Sequence, residues 1–394
     1  MIKFTVMIPT RERCETLHYT LASCVAQDYP EFEIIVSDNA SADGTRAVVA
    51  AFDDPRIRYV GTGRRLSMAG NFEFALSHAT GDYLMFLGDD DGLVPGALQR
   101  VADLVRQTGQ QAIISSQASY YWPNALDESV RNRLVFSGRE GYELLVSHEM
   151  IRRVLNFQVT YPKLPGLYVG FVSRDVVESA RDGGVYFHSV TPDAYSGFVN
   201  AAVLITYAYV HTPFSLAGVS GRSNGAGQLG ATRSNEATLF EAENHLQSHP
   251  AVVTSPSYEI ITAEAFLTGR DHVSALREFE LDIERLCAMA LLLAPAWNYS
   301  IIEQSVHAIR AKHGLNQAPA TGKKTRLLRL RMVLRRALQA IPRLLHVYRD
   351  IDCRDFSVRD VKAAGELLAV LVAYRQHGYG GRLMDLKRWI LAPR

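Results

Sequence analysis

The stretch Gly81-Asp-Tyr-Leu-Met-Phe-Leu-Gly-Asp-Asp-Asp-Gly-Leu-Val-Pro95 decides how the rest of the chain reads. Residues 83–87 are a short, wholly apolar run. Such a run predicts a strand buried on both faces, as in a parallel sheet covered by helices. It opens into Gly88 and three consecutive carboxylates, Asp89, Asp90 and Asp91. Pro95 follows, and 95–107 reads as a helix with proline in its first turn. Acids this close repel one another and raise each other's pKa. A hard divalent cation relieves that repulsion, because it takes oxygen ligands and accepts phosphate oxygens beside them. An acidic turn left in water is the plainer account. The metal reading is preferred because open parallel sheets place ligands at the carboxyl ends of their strands.

Upstream of this stretch, strands and helices alternate. Residues 4–8 read as a first strand ending at Pro9-Thr10, with Arg11 to Arg13 in the turn. Residues 16–26 are helical by period, with Leu17, Leu21 and Cys24 on one face. Residues 32–36 form a second buried strand that runs out into Ser37-Asp38-Asn39. A helix over 43–52, a strand over 57–60 and a helix over 68–78 carrying Asn71 lead back to the acidic stretch. This alternation predicts an α/β fold with a mostly parallel, Rossmann-like sheet flanked by helices. A dinucleotide-binding domain is disfavoured. Gly61-Thr-Gly-Arg-Arg-Leu66 offers two glycines, but it has leucine where the third belongs and does not follow the first strand.

Downstream, 112–115 is a strand and 117–157 an irregular insertion rich in Tyr, Trp, Arg and Glu. Residues 166–173 read as a strand, 174–181 as a helix, 194–204 as a helix preceded by Pro192-Asp193, and 208–211 as a strand. Residues 214–227 read as a small-residue loop in which Arg222 is placed to meet a phosphate. A boundary near 228 divides this first domain, 1–228, from a helical region, 229–394, with helices expected over 239–246, 258–267, 272–293, 300–313, 366–374 and 381–391. Within that region 323–349 repeats leucines at helical spacing between arginines, with no acid before Asp350. A basic amphipathic segment of this kind suits an anionic membrane surface.

Composition bounds the function. The net charge is +1, which gives no case for nucleic acid as a partner. Four cysteines without metal-type spacing fit a reducing compartment. The first residues read as a strand rather than a signal peptide, and no apolar run is long enough to span a bilayer. A cytoplasmic protein, peripheral on the inner face of the plasma membrane, is expected.

Four segments in order resemble family 2 glycosyltransferases: Val6-Met-Ile-Pro-Thr-Arg-Glu-Arg13, Glu33-Ile-Ile-Val-Ser-Asp-Asn-Ala-Ser-Ala-Asp-Gly-Thr45, Asn71 with Gly81-Asp-Tyr, and Phe86-Leu-Gly-Asp-Asp-Asp91. The resemblance covers roughly residues 1–225. It implies the GT-A fold and an inverting transfer from a nucleotide-sugar donor, UDP-linked by preference. The acceptor would be a growing cell-surface glycan, which a lipid can carry. It further implies that Pro9, Thr10, Arg11, Arg13, Asp38, Asn71, Asp89 and Asp90 contact the nucleotide. Asp89 and Asp91 would hold Mn²⁺ or Mg²⁺, and Asp193 would be the general base. Gly88 stands where the family often has an aspartate, and Pro192 where it more often has glutamate. The rivals are a sugar-phosphate nucleotidyltransferase, which wants a Gly-rich basic loop after the first strand, and a catalytically silent sugar-binding scaffold at a membrane. The donor sugar, the linkage and the oligomeric state are not legible.

Overall fold

The computed structural model describes residues 1–223, 246–315 and 348–376. The expected boundary at 228, the helix over 381–391, most of the helix over 239–246 and nearly all of the basic segment 323–349 lie outside the described residues.

The elements of the first half are β1 (Phe4–Thr10), α1 (Cys14–Val25), β2 (Phe32–Asp38), α2 (Thr45–Ala50), β3 (Ile57–Gly61), α3 (Met68–Ser77), β4 (Tyr83–Phe86), β5 (Gly92–Leu93) and α4 (Ala97–Thr108). There follow β6 (Ala112–Ser115), β7 (Ala118–Tyr121), β8 (Arg133–Ser137), β9 (Tyr142–Val146), α5 (Ser147–Leu155), β10 (Phe171–Ser173), α6 (Arg174–Ser179), α7 (Pro192–Val203), β11 (Thr206–Val210) and β12 (Ser215–Val219). One sheet runs in the order β3-β2-β1-β4-β10-β6-β11-β9. Its first four strands are parallel, while β10 and β9 pair antiparallel with their neighbours. In β1 and β2 nearly every residue is buried, as helices on both faces require. Strand alternation sends Phe4, Val6 and Ile8 to the face packed by α1 and α4, and Met7 to the face packed by α3 and α7.

Three local expectations are corrected. The run 166–173 is not one strand, because Val169 has φ +55°, which breaks an extended backbone; Tyr168 makes an isolated bridge to Phe86, and only Phe171–Ser173 forms a strand. The loop 214–227 contains β12, Ser215–Val219, whose Ser215 and Gly218 are buried instead of looping free. The helix over 272–293 is interrupted. One helix, Tyr258–His272, ends there, and a short 3₁₀ turn precedes Ile283–Leu293. The irregular insertion also has order: β7 and β8 join a second sheet, β13-β8-β7-β12-β5, in which β13 is Tyr348–Asp352.

The helical residues do not stand apart from the sheet. Helix Tyr258–His272 packs along α7, with Phe266 against Phe198 at 5.4 Å between ring centroids. Helix Val361–Gln376 covers the second sheet and touches α1 and β5. A Cβ on Gly92 would lie 2.9 Å from Val361, so that helix seats directly behind the acidic turn.

Gly218 in β12 shows how tight this second sheet is. A Cβ there would sit 1.7 Å from the Asp90 carbonyl oxygen. That is a clash with backbone, which cannot rotate away. Gly218→Ala is therefore expected to destabilise by about 3 kcal/mol or more in denaturant unfolding. An unfolding midpoint equal to wild type would show that the packing here is looser than described.

Candidate active site

Three carboxylates leave the end of β4, and each is held by a different part of the chain. Asp89 accepts from the Thr10 hydroxyl at the end of β1 and from Arg13 in the following turn, both at 2.8 Å. Asp90 accepts through Oδ2 from the hydroxyls of Ser220 (2.7 Å) and Ser223, both just after β12. Asp91 accepts through Oδ1 from the Gly218 amide at 2.7 Å, and through Oδ2 from the Gly88 amide at 2.9 Å and the Tyr168 hydroxyl at 2.6 Å. All three acids are buried. Both oxygens of Asp89 and of Asp91 are thus taken. Among the described residues Oδ1 of Asp90 receives no protein hydrogen bond.

Burial is the dominant electrostatic fact. It pushes the Asp91 carboxyl up to about 7, with the charge of Asp90 adding to the rise, against the pull of its three donors. Burial also raises Asp89, opposed by the Arg13 guanidinium. Burial by itself would lower Arg13, but Asp89 and then Asp90 raise it above an ordinary arginine. One ion-paired arginine does not balance three acids. The acids are hard oxygen donors with negative charge in excess and one open carboxylate oxygen, which suits a divalent cation; among the described residues, however, the trio whose ligand atoms lie within 4.8 Å of one another is Asp182, His188 and His272, not these acids.

The departure at Gly88 has a steric cause. A Cβ at this position would lie 2.5 Å from the Tyr168 hydroxyl and 2.7 Å from Asp91 Oδ2. The Tyr168–Asp91 bond occupies the space that an aspartate would need. Tyr168 itself precedes Val169 at φ +55°, and Glu12 and Ala40 have φ +53° and +55° in the turns after β1 and β2. Strained non-glycine residues thus gather at the carboxyl ends of these strands, as they do at functional sites.

The other expected residues divide. Thr10 lies beside Asp38 in the β1–β2 register, and the Asn39 amide donates to the Thr10 carbonyl at 3.0 Å. Asp38 accepts from the Tyr59 hydroxyl at 2.6 Å and from the Ser41 amide at 3.0 Å. Pro9 and Arg11 lie partly exposed at the same strand end. Asn71 is different. Its side chain is spent on Ser37, accepting from the hydroxyl at 2.7 Å and donating to the carbonyl at 3.3 Å.

Asp193 stands in the first turn of α7, just after Pro192, where helix geometry favours both proline and an acid. It accepts from the Tyr161 hydroxyl at 2.6 Å. Burial raises its pKa, and Tyr161 opposes the rise. Tyr161 stacks on Tyr258 of the helical region, with centroids 5.1 Å apart and planes at 14°. Tyr168 belongs to the acid cluster at the end of β4. It donates to Asp91 and lies close enough to Asp193 for that charge to help keep its phenol protonated, after burial and Asp91. Arg222 donates to the Glu12 carbonyl at 2.7 Å, and Arg13 to the Arg222 carbonyl at 2.5 Å, which ties the loop after β12 to the turn after β1. Tyr161, Tyr168, Ser220 and Ser223 were missed from sequence. The Gly166-Leu-Tyr-Val-Gly170 run and the serines around Arg222 were the available signals.

A mostly parallel sheet flanked by helices, with acids at its strand ends and a separate acid at a helix start, is a GT-A-like fold. Residues 5–174 match the family described as Glycosyl transferase family 2. Among curated relatives, a Campylobacter jejuni GalNAc(5)-diNAcBac-PP-undecaprenol beta-1,3-glucosyltransferase is 40% identical over 101 residues, covering 25% of this chain and 33% of its own. The Escherichia coli UDP-Glc:alpha-D-GlcNAc-diphosphoundecaprenol beta-1,3-glucosyltransferase WfgD is 30% identical over 95 residues, covering 24% and 38%. The chain therefore spans about a third of the length of the curated relatives it matches. Among solved structures, S. aureus TarS 1–349 superposes with a TM-score of 0.44 at 16% identity, covering 79% of this chain and 88% of that one.

The Asp91 carboxyl gives a pH prediction. With a folded pKa of about 7 against an ordinary 3.8, the folded state keeps a proton that the unfolded state releases between those values. Stability of the metal-free protein then falls as pH rises through that window. The thermal midpoint should drop between about pH 4 and pH 7, and Mn²⁺ should raise it more at the higher pH. Asp91→Asn should flatten the metal-free drop; an identical pH slope in that variant would contradict the assignment.

Proposed function

We propose that the chain transfers a sugar, with inversion, from a nucleotide-sugar donor to a lipid-linked or growing cell-surface glycan. UDP is the preferred nucleotide. The observation that supports this most is the presence of two unlike acid centres: a crowded, hydrogen-bonded acid cluster at the end of β4, and a single raised acid held by Tyr161 at the start of α7. The relatives' names supply the substrate classes. One names a diphosphoundecaprenol-linked acceptor with a UDP-glucose donor, and the other an undecaprenol-linked glycan.

Each group has a task in this reading. Pro9, Thr10, Arg11 and Asp38 line the nucleotide pocket at the ends of β1 and β2. Arg13 and Thr10 fix the rotamer of Asp89, and Ser220 with Ser223 fix that of Asp90. Mn²⁺ or Mg²⁺, when bound, would neutralise the departing diphosphate as a Lewis acid. Asp90 would hold it through its open Oδ1. Asp91, with both oxygens already taken, acts as the strut that positions Gly88 and Tyr168. Asn71 serves the β2–α3 packing rather than the nucleotide. Asp193 accepts the proton of the acceptor hydroxyl. Its raised pKa brings it nearer to neutrality, where a general base works best. Tyr161 holds that carboxylate in place and keeps its pKa from rising further.

Two experiments test the assignment. Asp90→Asn should abolish the Mn²⁺ dependence of UDP binding in calorimetry while leaving the fold intact; unchanged metal dependence would remove Asp90 from the site. Asp193→Asn should keep UDP affinity and lose transfer by about a hundredfold or more. In the same assay, Tyr161→Phe should move the acid limb of the pH–rate profile to higher pH, because the bond that lowers the Asp193 pKa is gone. A limb that stays put or moves down would mean that another group is the base.

A further inference from the structure

Helices Ile283–Leu293 and Tyr299–Lys312 pack on each other and share a core that includes Leu286, Cys287, Ala290, Ile302, Val306 and Ile309. The turn between them, 294–298, presents an unusual surface. Trp297 is 58% exposed, Tyr299 43% and Ile301 49%. Tyr299 and Ile301 are two residues apart, so they leave the helix in different directions. Both are exposed because the end of the helix pair, not its flank, faces outward. Leu291, Leu292, Leu293 and Pro295 are partly exposed beside them. From 286 to 302 the chain contains no Asp, Glu, Lys, Arg or His. Soluble surfaces rarely gather large apolar side chains without charged neighbours.

We propose that this helix-pair tip is a docking surface for a lipid bilayer that carries anionic headgroups. Tryptophan and tyrosine have an apolar ring and a polar edge, which suits the boundary between headgroup and acyl chain. The run before Glu303 is free of charge, so seating it desolvates no ion. The sequence that follows complements an anionic surface, because between Glu303 and Asp350 there are lysines and arginines but no Asp or Glu. Apolar burial and charge attraction add in interfacial binding. No described helix is long and apolar enough to cross a membrane, so this contact lies on the surface rather than spanning it. The inference gives the lipid-linked acceptor reading a physical route, since a docked enzyme meets its acceptor in the plane of the bilayer.

The test uses the full chain and vesicles of phosphatidylglycerol with phosphatidylethanolamine. The wild type should float with them, and bromine-labelled acyl chains should quench its tryptophan emission. Trp297→Phe should lose most of that quenching. The triple variant Trp297→Ser/Tyr299→Ser/Ile301→Ser should partition about tenfold more weakly, with UDP affinity unchanged as proof of fold. Equal partitioning of the triple variant overturns the proposal. So does absence of quenching, which would mean that another segment of the chain covers the tip. A change in oligomeric state on mutation, without loss of vesicle binding, would assign the tip to a second copy instead. Vesicle binding is read apart from UDP binding, so failure of one leaves the other standing.

Discussion

The site depends on keeping three buried carboxylates together at the end of one strand. Like charges in a low-dielectric setting are costly, and the chain meets that cost from three directions. The turn after β1 supplies Arg13, the segment around β12 supplies Gly218, Ser220 and Ser223, and the strained link at 168–169 supplies Tyr168. These donors come from distant parts of the sequence, so the acid cluster also acts as a clasp. It joins the large sheet to the second sheet at the carboxyl end of β4.

The same constraint explains the glycines that crowd the cluster. Gly88 leaves room for the Tyr168–Asp91 bond, and Gly218 lets β12 pass against the Asp90 carbonyl. Trp122 donates to that same carbonyl at 3.0 Å from the next strand. The second sheet is thereby more than a covering. Helix Val361–Gln376 packs on its other side, and Tyr258 from the helical region stacks on the tyrosine that holds Asp193. Residues late in the chain thus brace both acid centres, which gives the helical region a structural part in the site.

The proposed docking tip and the acid cluster make different physical demands. The cluster needs rigid donors and exclusion of water, and it is built on strand ends. The tip needs exposed amphipathic rings and freedom from charge, and it is built on a helix turn. A lipid-linked acceptor would require both in one molecule.

Sequence alone determined the alternation of strands and helices through α4, and the placing of Asp38 and Asp89–Asp91 at strand ends, because apolar runs and acidic turns are local signals. It also placed Asp193 at a helix start, since Pro-Asp before an apolar period marks one. It did not reveal how the acids are ranked. The resemblance implied Asp91 as a metal ligand, and only the fold brings Gly218 and Tyr168 onto its two oxygens. The resemblance implied Asn71 as a nucleotide contact, and only the packing of α3 on β2 sets its side chain against Ser37. The order inside 117–157, and the return of 348–376 to the second sheet, depend on pairings between residues far apart in the chain. Such pairings leave no periodic trace, so tertiary structure had to decide them.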